Sequence, residues 1–422
     1  MFSAFRRSYA ATALGLLLWI GGASRAFAQG KNLAYYLDQG KQNSPLLRDY
    51  QNQVTAAQID SQRLRAAYGP QVNGVSNNSY APLIRGIGYD AAITNGAQVS
   101  ALVSASKELN GKKNLNNQLQ GIDLQNQGLR NTSRISEQDL KRSIAAQYIT
   151  AYGDWEQYRF NDHVLQLLKQ EEVILKKLAQ TGTYRQTDYL TFLVTLQQQE
   201  LLLKQLRGQY QNNFAQLNYL CGVTDTTFTP IEDPALHIDH LPALENTVFY
   251  RQFEIDSLKL RNSDKSIDLL YRPKINLYTD GGFNSTLALD PYKNFGVSAG
   301  LNLVVPIYDG HQRKMQHDKV AIAEATRKNY QDFFSRQYYQ QLQQLTQQLG
   351  TTIELIDQAS KQISYAEGLM EANKALLVHG DVRIADYVIA INNYLNAKNI
   401  ITQNIVNKYQ LINQINYWNS AN

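Results

Sequence analysis

The chain has 422 residues with 41 basic and 36 acidic side chains, a formal net charge of +5, and a single cysteine, Cys221. One cysteine excludes an intramolecular disulfide, so packing must hold the fold together. The small net charge gives no support to a nucleic-acid-binding function.

Residues 1–28 have the pattern of a secretory signal peptide. Arg6 and Arg7 form a basic n-region, an apolar core follows, and an A-x-A cleavage site ends at Ala28. Removal of this segment takes out Arg6, Arg7 and Arg25 but no acidic residue, so the net charge of the exported chain is about +2. The sequence therefore predicts an exported protein that is nearly neutral.

Alternating apolar residues over 295–308 predict a strand with one apolar face. These residues are Val297, Ala299, Leu301, Leu303, Val305 and Ile307. The run matches the ~9–11 residues that a tilted β-strand needs to cross a bilayer. Further strands are expected at about 70–80, 97–107 and 273–284, although the first is rich in Asn and Ser and would be a poor lipid-facing strand.

Two long helices are predicted, from Lys112 to Gln180 and from His311 to Val378. The second stretch contains no proline and only two glycines, and at ~1.5 Å per residue it would be on the order of 100 Å long. Its apolar residues repeat every seven positions, in one row at Leu342, Leu349, Ile356, Ile363, Met370 and Leu377 and a weaker row at Leu345, Thr352, Ala359 and Ala366. A sustained heptad repeat indicates helices that supercoil around their neighbours.

The pattern of elements occurs twice along the chain. Gly182 and Gly380 each end a long helix, where glycine supplies the left-handed cap of a reversal, and a returning helix follows each of them. We therefore divide the exported chain into a first repeat over 29–221, an irregular proline-rich link over 222–245 and a second repeat over 246–422. Each repeat should contain an entering helix, two strands, a long helix, a tip near residue 182 or 380, and a returning helix.

Four strands in one chain are too few to close a barrel, because bacterial barrels start at about eight strands. An open sheet in lipid would leave backbone groups at its edges without hydrogen-bond partners. The fold class predicted is therefore mainly α with a membrane β-barrel that copies of the same chain complete.

The order, duplication and spacing of these features resemble the TolC family of outer-membrane efflux and secretion ducts. The matching features are the Asn43-Ser44-Pro45-Leu46 helix start, the proline-led strands at Pro70 and Pro273, the Pro306–Gly310 segment, the two Gly-to-Asp tips and the last helix from Asp386 to Tyr409. The resemblance implies a homotrimer with a twelve-stranded barrel in the outer membrane and an α-helical tunnel through the periplasm. Its tips would dock a periplasmic adaptor protein and an inner-membrane transporter, and outer-membrane lipid would surround the barrel.

The resemblance also assigns candidate residues of a pore constriction at the periplasmic tip. The tip aspartates of the family fall on Asp188 and Asp386, and three copies around one axis would attract cations. The alternative for Asp386 is that it only begins a helix, where a carboxylate suits the helix dipole. A second aspartate of some family members is replaced here by Ile389. Arg185 and Arg383 are either partners for the tip aspartates of neighbouring hairpins or simply solvated.

The remaining candidate residues do not indicate a catalytic or metal-binding site. Gly182 and Gly380 are expected to cap the reversals and to be approached by the adaptor. His237 and His240 have His-x-x-His spacing in the link, but without a helix to set their geometry a metal site is not predicted. The chain contains no Gly-rich phosphate loop or nucleophile elbow, so we expect neither enzymatic activity nor a cofactor.

Two alternatives to an efflux duct stay open. The chain is either a periplasmic or surface coiled-coil protein with a structural or adhesive role, or, within the same family, the exit duct of type I polypeptide secretion. A requirement for detergent and a trimeric state would separate the first alternative from a channel. The cargo and the class of the partner pump do not follow from the sequence.

Overall fold

The computed structural model describes residues 31–90, 96–225, 227–238, 243–286 and 291–418. The predicted signal peptide lies outside these residues. Within them, no helix combines the length and the apolar character that a membrane-crossing helix requires.

The two halves of the chain contain the same succession of elements. The first has α1 (Leu33–Asn43), α2 (Pro45–Ala67), β1 (Gln71–Val75), β2 (Asn78–Tyr80), β3 (Ala97–Glu108), α3 (Lys112–Gln180) and α4 (Gln186–Cys221). The second has α5 (Val248–Leu270), β4 (Lys274–Ser285), β5 (Phe295–Val304), α6 (Gln312–His379) and α7 (Ile384–Trp418). Short 3-10 turns at Leu244–Asn246 and Pro291–Lys293 precede α5 and β5. Helix α1 has no counterpart among the described residues of the second half.

The entering helices begin at side-chain caps. The hydroxyl of Ser44 accepts a hydrogen bond from the N–H of Leu47, and Pro45 occupies the first turn of α2. The hydroxyl of Thr247 does the same for the N–H of Tyr250 at the start of α5. Each cap satisfies one of the N–H groups that a helix start leaves without a partner.

The helices form columns that run side by side. The long helix α3 packs against α2 and α4 on one side and against α5 and α7 on the other, and α6 packs against α5 and α7. Helices of 23 and 36 residues, α2 and α4, thus accompany the 69 residues of α3. The order of columns is α2 with α4, then α3, then α5 with α7, then α6, as the helix lengths predict for an elongated wall.

The packing of α6 corrects one expectation about its heptad rows. The row with smaller side chains, predicted as the weaker one, is fully buried throughout: Leu345, Thr352, Ala359 and Ala366. In the row with larger side chains, Leu349, Ile356 and Ile363 are only half-buried. Small residues let the backbones of α6 and α7 approach closely, and the side-chain amide of Asn407 on α7 donates to the Thr352 hydroxyl at 3.2 Å.

The strands form one antiparallel sheet in the order β1, β3, β4, β5, with β2 also paired to β3. The register aligns the odd-numbered residues of β3, β4 and β5 on one face, as in the row of Val103, Gly281 and Val297. That face contains Val99, Ala101, Val103, Ala105, Ile275, Leu277, Phe283, Phe295, Val297, Ala299, Leu301 and Leu303, with Lys107 and Thr279 among them. The opposite face contains Ser100, Ser104, Ser106, Asn276, Asp280, Asn284, Ser298 and Asn302, with Leu102, Tyr278 and Val304 among them. Alternation along each strand thus gives the sheet one mainly apolar and one mainly polar face.

Two strands differ from their predicted extents. Residues 70–80 form β1 and β2 rather than one strand, although both pair with β3 in the same register. Between them, the hydroxyl of Ser100 accepts from the N–H of Asn77 and donates to its carbonyl oxygen, so a side chain enters the ladder there. Strand β5 ends at Val304 because its partner strand begins at Lys274 and Pro306 has no N–H to donate.

The link crosses the middle of the helical wall as a belt, which we define as residues 227–238. The carboxylate of Asp233 accepts hydrogen bonds from Tyr152 of α3 at 3.0 Å and from Tyr409 of α7 at 2.7 Å. The hydroxyl of Tyr148 donates to the carbonyl oxygen of Glu232 at 2.8 Å. The belt therefore ties helices of both repeats together at mid-length.

A cluster of charged side chains joins α5 to α6 below the sheet. The two ring nitrogens of His317 lie 2.6 Å from a carboxylate oxygen of Asp264 and 3.2 Å from one of Asp268. Arg313 also donates to Asp268, at 2.7 Å. The hydrogen bond to Asp264, more than any other contact, raises the pKa of His317, and the hydrogen bond from Arg313 lowers the pKa of Asp268.

These shifts predict how the α5–α6 contact depends on pH. The contribution of His317 is complete below its unfolded pKa of ~6.5 and is lost as the pH rises through the raised folded value. The contribution of Asp268 is present above its unfolded pKa of ~3.9 and is lost as the pH falls through the lowered folded value. We expect the apparent unfolding temperature to fall as the pH rises above about 6.5, and less so in His317→Gln. The exposed His163→Gln is the control; an equal fall in all three proteins would contradict this prediction.

Candidate functional site at the helical tips

The two reversals at the ends of α3 and α6 have the same backbone construction. Gly182 and Gly380 have φ values of +82° and +80°, a left-handed conformation that glycine adopts without steric cost. In the second turn the N–H of Asp381 donates to the carbonyl oxygen of Leu376 at 3.1 Å, and the N–H of Thr183 closes the first turn in the same way. Both glycines therefore cap their helices, as their sequence positions predict.

A buried tyrosine joins the first turn to the second. The hydroxyl of Tyr184 lies 3.0 Å from the carbonyl oxygen of Leu377 and 2.8 Å from that of Val382, so its proton is shared between two acceptors. The turns are in close contact, because a Cβ atom added to Gly380 would lie 2.9 Å from the side chain of Thr183. The two tips thus form one structural unit.

An apolar core supports this unit from below. Its buried members are Val164, Leu168, Leu175, Tyr184, Tyr189, Phe192, Met370, Leu377, Ile384, Tyr387, Ala390 and Ile391. One ion pair enters this region, where Lys374 of α6 lies 3.2 Å from a carboxylate oxygen of Glu171 on α3, whose side chain is only 2% exposed. Removal of one partner of a buried pair leaves an uncompensated charge, so this contact holds the two hairpins in register.

Asp386 and Arg383 form a bidentate pair within one helix turn. The guanidinium of Arg383 donates from Nε at 2.8 Å and from Nη2 at 2.9 Å to the two carboxylate oxygens of Asp386. The backbone N–H of Asp386 also donates to the carbonyl oxygen of Arg383, so this aspartate sits in the first turn of α7. In the single chain, Arg383 therefore neutralises the aspartate of its own hairpin, because three residues of separation at a helix start bring the groups together.

The first tip repeats the backbone hydrogen bond between the aspartate and the arginine three residues before it, but its side-chain surroundings differ. The N–H of Asp188 donates to the carbonyl oxygen of Arg185 at 3.1 Å, which places Asp188 in the first turn of α4. Burial, followed by the nearby carboxylates of Asp381 and Asp188, raises the pKa of Tyr184. The tyrosine hydroxyl therefore stays protonated near neutral pH and can donate to the two carbonyl oxygens of the second hairpin.

No metal centre is evident in the part of the chain that the structure describes, where no three His, Cys, Asp or Glu side chains are grouped to hold an ion. His237 contacts the carbonyl oxygen of Ala235 at 3.2 Å, and His240 lies outside the described residues. Cys221 is buried as a free thiol, and burial raises its pKa to about 12.

Sequence reasoning missed the two contacts that join the tips, those of Tyr184 and of Glu171 with Lys374. The sequence does hint at the contact of Tyr184. When the two turns are aligned by Gly182 and Gly380, Tyr184 occupies the position of Val382 in the other repeat. A hydroxyl in one turn where its counterpart is aliphatic indicates a contact that only one hairpin makes.

The chain thus combines a two-faced sheet with columns of long helices that end in two joined tips. No family model matches this sequence, and a comparison with curated protein sequences finds no match. Solved structures do match it over nearly the whole chain. CusC, described in terms of transmembrane channel formation, aligns with a TM-score of 0.74 at 13% identity over 93% of each chain.

Two further solved structures have a similar fold. The outer membrane protein VceC of Vibrio cholerae aligns with a TM-score of 0.72 at 12% identity, over 92% of this chain and 96% of VceC. The CmeC outer membrane channel of Campylobacter jejuni aligns with a TM-score of 0.72 at 13% identity, over 92% and 86%. The protein therefore has the fold of the TolC-family outer-membrane channels, and the resemblance seen in the sequence is confirmed at the level of the fold.

The substitution Tyr184→Phe tests the link between the tips. Phenylalanine keeps the ring in the apolar core but removes the donor to both carbonyl oxygens, which should cost about 1–2 kcal/mol of local stability. Amide hydrogen exchange at residues 376–384 should speed up by about tenfold. Tyr219→Phe, at an exposed position of α4, is the control. Unchanged exchange in Tyr184→Phe would show that packing alone joins the turns.

Proposed function

We propose that this protein is the outer-membrane channel of a tripartite efflux system. It acts as a passive exit duct, without enzymatic activity or a cofactor, and works with a periplasmic adaptor protein and an inner-membrane transporter. The observation that carries the proposal is the sheet, because it has one mainly apolar face, one mainly polar face and two edge strands without a partner strand in the described chain.

The apolar face supports a position in lipid. Val297 is 90% exposed and Leu301 68%, and both belong to the face that β3, β4 and β5 share. A contiguous apolar surface of this kind is unfavourable in water, which disfavours a periplasmic or surface coiled-coil protein with a small soluble sheet. Apolar residues outside and polar residues inside are the alternation of a membrane barrel with a wet lumen.

The sheet edges support assembly of identical copies. Neighbouring strands are antiparallel throughout the order β1, β3, β4, β5, so the last strand runs antiparallel to the first. The edge strand β5 of one copy can therefore pair with β1 of the next without breaking the pattern. Three copies with four strand positions each make a closed antiparallel barrel of twelve strands, which satisfies the backbone groups at every edge.

Exposed apolar residues on the helices support the same assembly. On α6, Leu355, Leu369 and Leu376 are exposed at multiples of seven residues, and on α4, Leu190, Val194 and Leu201 are exposed. These rows lie on the outer columns of the wall, where the helices of neighbouring copies would meet. A heptad row without a partner in its own chain is typical of a coiled-coil interface between chains.

In this homotrimer the tips form the periplasmic end of an α-helical tunnel. Asp188 and Asp386 would be repeated three times around the axis and would form the constriction, with Arg185 and Arg383 beside them. The turns at Gly182 and Gly380 would be the docking surface for the adaptor. The proposal places the chain in the outer membrane of a Gram-negative-type cell with its helices in the periplasm.

The lipid-facing position of the sheet can be tested with a matched pair of substitutions. Leu301→Lys puts a charge on the apolar face, which should cost about 2–4 kcal/mol in the bilayer, whereas Asn302→Lys puts it on the polar face at little cost. We expect Leu301→Lys to reduce the yield of folded protein in lipid vesicles severely and Asn302→Lys to fold like the unsubstituted chain. Equal folding of both variants would refute a lipid-exposed face.

The oligomeric state discriminates between the channel and the coiled-coil alternative. A protein of the proposed function should require detergent for solubility and should elute with three times the mass of the exported chain in multi-angle light scattering. A monomer that dissolves without detergent would exclude the proposal.

The role of Asp386 in the constriction can be tested with two substitutions, one that removes a negative charge from the tip and one that removes a positive charge. Asp386→Asn removes the carboxylate and should weaken block by divalent cations in planar bilayers, whereas Arg383→Gln removes its neutralising partner and should strengthen that block, each by about threefold or more. Both variants change the ion pair, so a loss of structure alone would move them in the same direction. Unchanged block in both would remove Asp386 from the constriction.

A further inference from the structure

A cavity of about 760 Å³ lies where the sheet meets the helices. It opens between the junction of β3 with α3 and the junction of α5 with β4. Four cationic side chains line it, Lys112, Lys113, Arg272 and Lys274, together with one carboxylate, that of Glu108. Its charge thus differs from that of the chain as a whole, which is nearly neutral.

Across residues 31–90, 96–225, 227–238, 243–286 and 291–418, none of the four cations forms a salt bridge, and Glu108 is the one acidic residue that lines the cavity with them. Lys112 and Lys113 also occupy the first turn of α3, which contains no acidic residue, although the positive end of a helix dipole disfavours cations there. A bound anion would offset both the repulsion among the four cations and the unfavourable interaction of Lys112 and Lys113 with the helix dipole.

The register of the sheet places the cavity on its polar face. Glu108 pairs directly with Asn276, and Lys274 precedes Asn276 by two positions, so both belong to the same face as Ser298 and Asn302. In the barrel of the proposed function, this face lines the lumen. The cations would therefore form a collar inside the pore, at the level where the barrel passes into the tunnel.

The two junctions are held together by one side chain. The amide of Asn110 donates to the carbonyl oxygen of Pro273 at 2.5 Å and accepts from the N–H of Ile275 at 3.1 Å. Asn110 thus ties the end of the β3 junction to the start of β4. The backbone beneath the four cations is therefore fixed in place, as a binding site requires.

We propose that this cavity binds anionic solutes and that the collar of cations makes the barrel end of the pore selective for anions. The inference rests on the proposed function, since it needs the trimer to bring three cavities around one lumen. Three copies contribute twelve cations and three carboxylates. Rings of charged side chains in a pore concentrate ions of the opposite sign and set its selectivity.

The experiment measures the reversal potential of the purified trimer in planar bilayers under a potassium chloride gradient, with and without pyrophosphate as a multivalent anion. The test variant combines Lys112→Gln, Lys113→Gln, Arg272→Gln and Lys274→Gln. We expect the permeability ratio of chloride to potassium to fall by roughly threefold or more in this variant at low salt, and block by pyrophosphate to be lost. High salt should reduce the difference, because it screens the collar.

A control variant removes four exposed cations from the helices and has the same net charge. Its substitutions are Arg130→Gln, Lys204→Gln, Lys328→Gln and Arg336→Gln, and it should keep the selectivity of the unsubstituted protein. Equal selectivity in the test variant and the unsubstituted protein, with channels present in both, would overturn the anion collar and leave the proposed function intact. Absence of channels from the unsubstituted protein would instead refute the proposed function.

Discussion

The need of backbone N–H and C=O groups for hydrogen-bond partners determines the plan of this molecule. A sheet whose residues alternate between an apolar and a polar face can lie in lipid only if its edges are paired, and β1 and β5 are edges in the single chain. The wall of helices extends the same four-column plan away from the sheet, with α3 and α6 continuing directly from β3 and β5. Sheet and helices therefore share one geometry of four positions side by side.

The interior of the wall is built from small side chains and from polar contacts rather than from large apolar residues alone. The fully buried row of α6 contains Thr352, Ala359 and Ala366, which brings α7 close, and the larger residues of the other row stay partly accessible. Between α3 and α4, the buried carboxylate of Asp154 accepts from Gln209 at 2.7 Å and from Asn213 at 2.5 Å. Such contacts are satisfied in one register only, so they fix the helices against sliding.

The long helices were predictable because their stretches contain no proline and, in α6, carry a sustained heptad repeat. The apolar face of β5 was predictable from the alternation of its residues. Other features depend on contacts between residues far apart in the chain. Residues 71–80 are rich in Asn and Ser and form β1 and β2 because β3 pairs with them. Helix α1 is held by packing of Tyr36 against α3 and α4. At the tips, the glycines and aspartates were predicted by position, whereas the pairing of Arg383 with its own aspartate and the role of Tyr184 depend on local geometry that spacing does not specify.

The belt at mid-length has a mechanical consequence. Asp233 bonds a tyrosine from each repeat, so the columns cannot separate at that level without breaking both hydrogen bonds. Toward the tips, an apolar core and the polar contacts of Tyr184 and of Glu171 with Lys374 join the two hairpins. A movement that separated the two hairpins would therefore have to break the contacts of Tyr184 and Lys374, whereas the hydrogen bonds of Asp233 would still hold the columns together at mid-length.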